Sequence, residues 1–195
     1  MRTAAQPTIP PTTSIAHALV HPLEEFYARS GLALPPLQQI DGEEVPEPYK
    51  TLLVHQSDMT STLESFHRQS IHLRVLGRER RGDEYFREVV LHLDGTEKPV
   101  EFGAIKINLD RFPPPARQLV LDERWPLGHI LKDCGVVYTS HPKVFLRIAS
   151  DKLINSVLGL TGAHVLYGRR NTLSDATGQS LAEIVEILPP TARPG

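Results

Sequence analysis

Arg87 lies in the stretch EYFREVVLHL (residues 84–93), where strict alternation places it beside Tyr85, Val89, Leu91 and Leu93. Those neighbours mark the apolar face of a strand. A guanidinium stays charged at any working pH, so on such a face it must meet an anion. Two chemistries satisfy it: an internal ion pair with a glutamate elsewhere in the core, or bidentate capture of a ligand carboxylate. A second concentration of charge lies in LYGRRNTLSDATGQSLAEIVEILPP, residues 166–190. Arg169 and Arg170 are neighbours on a strand and leave opposite faces, so at most one lines the same pocket as Arg87. Glu183 and Glu186 also differ in parity, and periodicity leaves both open as the pocket carboxylate. A carboxyl group in so apolar a strand has its pKa raised by desolvation, which suits a general acid or base near neutrality. The bland alternative is a salt bridge to an arginine.

Other chemistries find little support. Nine histidines are present, but none forms an HExxH pair. His55, Asp58, His67 and His72 do not make a convincing ligand set, so no metal is expected. Cys134, the one cysteine, reads as a small buried hydrophobe and excludes an internal disulfide framework. There is no GxGxxG or Walker-type loop, hence no nucleotide cofactor. A net charge of −2 without a long basic run argues against a nucleic-acid partner. No apolar run reaches the roughly 18–20 residues of a membrane helix, and no signal-peptide pattern opens the chain. The expectation is a cytoplasmic protein that neither spans a membrane nor binds nucleic acid.

The elements that must position these residues follow from the hydrophobic period. At 195 residues the chain suits one domain, expected over 14–190. Residues 1–13 read as a disordered, proline-rich lead-in and 191–195 as a frayed tail. Leu19, Leu23, Phe26 and Tyr27 recur at helical spacing, and Gly31 stands where a helix stops. Pro35 and Pro36 predict an extended passage, residues 41–48 an acidic loop, and Pro48 the opening of a helix that carries Leu52 and Leu53. Residues 57–69 form a helix capped by Ser57 or Asp58, with Met59, Leu63 and Phe66 on one face. From Ser70 the period becomes two. Ile71, Leu73 and Val75 face one way; His72, Arg74 and Arg78 face the other. Asp94-Gly95 signals a hairpin between residues 84–93 and 99–109. Two short helices are expected over 116–122 and 126–133, and a looser strand over 136–148, while 151–160 has no clear assignment. Consecutive hairpins with helices between them argue for α+β with a mostly antiparallel sheet of about six strands.

The stretches SDMTSTLESF, EYFREVVLHLDG, WPLGHIL, LYGRRNTL and AEIVEILP, taken in order, resemble the chorismate pyruvate-lyase family. The likeness spans roughly residues 50–190. It implies a single-domain antiparallel sheet whose helices form flaps over a ligand cavity. It also implies an activity without cofactor, conversion of chorismate to 4-hydroxybenzoate and pyruvate. By position, the family's pocket arginine falls on Arg87, its methionine on Met59 and the leucine of its PLG motif on Leu127. The catalytic glutamate falls on Glu186, counted from the turn glycine Gly178, with Arg169 or Arg170 available for a second substrate carboxylate. One departure stands out: Ala104 follows Gly103 where some members carry an arginine. A related fold serves as the effector domain of transcription regulators, so a non-catalytic sensor of aromatic acids is the alternative. Against it, residues 1–50 are too proline-rich and acidic for a helix-turn-helix. A family enzyme acting on a related enolpyruvyl or aromatic acid is the third possibility.

Overall fold

Extended segments joined by tight turns pair into antiparallel hairpins, and a strand apolar at successive positions can bury both of its faces. A computed structural model of the protein describes residues 18–191. Its strands are β1 (Leu37–Ile40), β2 (Ile71–Arg81), β3 (Glu84–Leu93), β4 (Pro99–Asn108), β5 (Thr139–Ala149), β6 (Val165–Ser174) and β7 (Ser180–Leu188). They form one antiparallel sheet in the order β1-β5-β6-β7-β4-β3-β2. Six α-helices accompany it among the described residues: α1 (Leu23–Arg29), α2 (Tyr49–Leu53), α3 (Met59–His67), α4 (Pro114–Leu121), α5 (Leu127–Asp133) and α6 (Lys152–Leu158). The protein is thus a single α+β domain, with seven strands rather than the expected six. None of its helices is long and apolar enough to cross a membrane. The lead-in expected over residues 1–13, and all of the tail but Thr191, lie outside the described residues.

The seventh strand is β1, in the passage that follows Pro35 and Pro36. Its four residues pair only with β5, from Leu37 opposite Ile148 to Ile40 opposite Phe145. Helix α6 occupies the stretch without an assignment. Asp151 caps it by accepting from the Ile154 amide at 2.8 Å, and Gly159 ends it at φ 65°. In β2 a bulge between Val75 and Gly77 resets the alternation, so that Arg78 comes opposite Arg87. Cross-strand partners share a face. Arg78 therefore lies on the Arg87 side of the sheet, not with His72 and Arg74 as the uninterrupted period implied.

Both faces of the sheet are covered. Helices α1 and α6 pack Leu23, Phe26, Tyr27, Ile154 and Leu158 against Phe86, Phe102, Ala104, Val185 and Ile187. On the other face two apolar clusters lie side by side. One joins α4 and α5 to Tyr85, Ile105, Ile107 and Leu173; the second joins α2 and α3 to Leu91, Leu93, Val100 and Leu188. The polar residues of interest sit along the seam between them.

Candidate functional site

The seam holds a cavity with about 570 Å³ of space free of protein atoms, its mouth included. Its floor comes from β3, β4, β6 and β7, and its roof from the first turns of α3 and α5. Arg87, Met59, Leu127 and Glu186 all line it, as do Asp58, Thr60, Glu101, Gly103, Gly128 and Asn171. Local chemistry sets the roof. Asp58 caps α3 by accepting from the Ser61 amide at 2.8 Å, which fixes the turn that carries Met59. Pro126 precedes α5 and presents Leu127. The two turns meet at Gly128. A Cβ there would stand 2.5 Å from Asp58 Oδ1 and 2.8 Å from Thr60 Oγ1, so only glycine lets them touch.

Arg87 is 2 % exposed, and its Nε and Nη1 have no hydrogen-bond partner among the described residues. The acid that acts on it is Glu123, but that carboxylate is bonded to Arg78 and to the Tyr85 hydroxyl instead. Burial pushes Arg87 down to about 10, so it remains a cation at neutral pH. A buried, charged donor set with no acceptor opens on the cavity.

The second charged group is already satisfied. Arg169, fully buried, donates through Nε to Glu186; through Nη1 to the carbonyls of Leu53 (3.0 Å) and His55 (3.1 Å); and through Nη2 to the carbonyl of Ser57 (3.3 Å). It ties the sheet to the loop ahead of α3 and is not a wall of the cavity. Burial and the Arg169 charge together hold the nearby His55 below its usual pKa. Arg170 points to the opposite face, where it pairs with Glu183 at 3.0 Å and donates to the Ala18 carbonyl. Thus the structure brings Glu186, not Glu183, to the cavity, and brings neither Arg169 nor Arg170 to it with a donor to spare. The side chain of Ala104 belongs to the opposite face's cluster, so this position does not contribute a side-chain tip to the cavity.

Glu101 is the residue that sequence reasoning missed. It is 4 % exposed and lines the cavity, and its Oε2 has no hydrogen-bond partner among the described residues. Burial first, and then the Glu186 charge, raise its pKa well above the glutamate norm, against a smaller lowering by Arg169. The signal was present: Glu101 shares its strand face with Ile105 and Ile107, the anomaly that singled out Arg87. Asn171 lines the cavity too, exchanging hydrogen bonds with Ser140.

No family model matches the sequence, and no curated protein is similar to it. The fold nevertheless has clear counterparts: it is the chorismate lyase-like fold. Among solved structures, PhnF from Mycobacterium smegmatis aligns with a TM-score of 0.54 at 11% identity, over 85% of this chain and 92% of that one. The effector domain of PhnF gives 0.52 at 13% identity, over 68% and 88%. YydK from Bacillus subtilis, a possible transcriptional regulator, gives 0.50 at 11%, over 86% and 91%. At such identities the likeness is one of fold.

Proposed function

We propose that the protein is a ligand-binding domain for a small cyclic or aromatic monocarboxylic acid, held with its carboxylate on Arg87. The observation that carries this reading is the buried Arg87 guanidinium, which faces the cavity with free donors while the nearby Glu123 is engaged elsewhere. A carboxylate there gains charge-assisted hydrogen bonds in a site that excludes water. Ring carbons would meet Met59, Leu127, Val89 and Leu173. The shared fold of the PhnF effector domain supports a sensing role over catalysis. So does the charge count: chorismate is a dianion, and Arg87 is the one cavity-lining arginine among the described residues.

Calorimetric titration with benzoate and 4-hydroxybenzoate tests this. Arg87→Met should weaken binding on the order of 100-fold, the usual loss when one partner of a buried charge pair is truncated. The same change should leave the ligand-free melting temperature unchanged or higher, because an uncompensated buried charge is gone. Undiminished binding by Arg87→Met would refute the reading.

A chorismate pyruvate-lyase is the second reading, favoured by one observation: Glu186 lines the cavity that holds Arg87, Met59 and Leu127. Its test is incubation with chorismate and assay for pyruvate. Turnover lost in a folded Glu186→Gln and kept in Glu183→Ala would establish it; binding of 4-hydroxybenzoate without turnover leaves the sensor.

A further inference from the structure

Three groups along the sheet face define a polar axis. The register sets Arg87 opposite Ile105, Glu186 opposite Gly103, and Glu101 two residues beyond Gly103. Arg87 and Glu101 thus stand four strand positions apart, about 13 Å at a rise of ~3.3 Å per residue. Between them Gly103 adds no side chain, and none could be added. A Cβ there would lie 2.4 Å from the Val185 carbonyl oxygen, which is backbone and cannot swing away. The floor between the two polar groups is therefore open, flanked by the apolar Val89 on β3 and by Glu186 on β7.

We propose that Glu101 is a second ligand anchor, a neutral carboxylic acid that hydrogen-bonds an uncharged oxygen at the end of the ligand remote from its carboxylate. This rests on the acid-binding reading above and narrows the ligand to hydroxy-, alkoxy- or oxo-substituted monocarboxylic acids. The charged groups around Glu101 favour the neutral form. Glu186 on β7 is negative and close, while Arg169 on β6 is spent on Glu186 and three carbonyls. Arg87 on β3 is four positions away, Asp58 at the head of α3 is a second acid, and His55 lies beside Arg169. An ionised Glu101 would be a second carboxylate without a cation of its own. As the neutral acid, it donates one hydrogen bond and accepts another, matching a hydroxyl. A ligand carboxylate at this end would face Glu186 and is selected against.

Paired titrations with benzoate and 4-hydroxybenzoate test the assignment in the wild type, Glu101→Leu and Glu101→Gln. The wild type should prefer the hydroxy acid about tenfold, the scale of one buried hydrogen bond. Glu101→Leu should bring the ratio of the two affinities to about one, whatever it does to each affinity alone, and Glu101→Gln should keep part of the preference. A wild type that binds both acids equally, or a preference that survives in Glu101→Leu, overturns the proposal and leaves the acid-binding reading intact. If neither acid binds the wild type, both fall.

A ligand-free measurement checks the neutral state. With the folded pKa raised, the native protein holds a proton that the unfolded chain has released. Stability therefore falls as pH climbs from the ordinary glutamate value of 4.5 towards the raised one. Glu101→Gln should remove this decline from the denaturation profile. His55, held low, acts in the opposite sense below about pH 6.5, where the unfolded chain takes up a proton first. It is common to both proteins and cancels in their difference. Parallel pH profiles for the two proteins would mean an ionised Glu101 and overturn the proposal.

Discussion

Glu183 and Glu186 lie three positions apart on β7, yet differ in everything that sets their worth. Glu186 shares a dry ion pair with Arg169, whose other donors are engaged with backbone carbonyls. Glu183 meets Arg170 near the surface, each side chain about a quarter exposed. Glu186→Ala should destabilise the protein by about 3–5 kcal/mol in urea denaturation, because it strands a buried guanidinium. Glu183→Ala should cost less than about 1 kcal/mol. The sequence showed that an arginine and a glutamate sat on each face, but parity alone does not say which face carries the cavity. That depends on which helices cover it. Glu101 escaped notice for a different reason: a single acid near the start of a strand reads as a half-exposed end until its burial on both faces is known.

At the scale of elements, the hairpins and the helix under Asp58 were legible because their signals are local: period two, an Asp-Gly turn, a capping side chain. Strand β1 was not. Its sequence, LQQI, has no alternation of its own, and it is a strand only because β5 offers an unpaired rim. Helix α6 did carry signals, Asp151 ahead and Gly159 behind. The bulge in β2 had one local sign, Gly77 in mid-strand, but an extra residue inverts every later position and the period alone does not show it. The roof of the cavity rests on the contact of α3 with α5 at Gly128, reinforced by His129 Nε2 and Glu64 Oε1 at 3.1 Å. Gly128→Ala should prise these turns apart, lowering stability by about 1–3 kcal/mol. It should also weaken benzoate binding, and calorimetry would read the two effects separately.

For the whole molecule, the sheet divides labour between its faces: α1 and α6 seal one, while the other leaves a seam that the shorter helices roof over. The roof has unequal attachments. Arg169 clamps the loop before α3 to the sheet, whereas α5 follows a surface turn that carries the only tryptophan, Trp125, 51 % exposed. Ligand exchange should therefore move α5 more than α3. The expected outcome is a shift in Trp125 emission on adding benzoate, lost in Arg87→Met; an unchanged spectrum at saturating ligand would count against movement on that side. The open sheet has one more consequence, at its rims. β1 presents only four residues to any newcomer, and β2, eleven residues long, carries Arg74 and Arg80 along a bulged course, while Arg78 and Arg81 are paired with Glu123, Glu25 and Glu79. Two copies meeting rim to rim along β2 would bring like charges together on a twisted backbone, which guards against fibre-like stacking. That protection is electrostatic in part, and added salt should erode it.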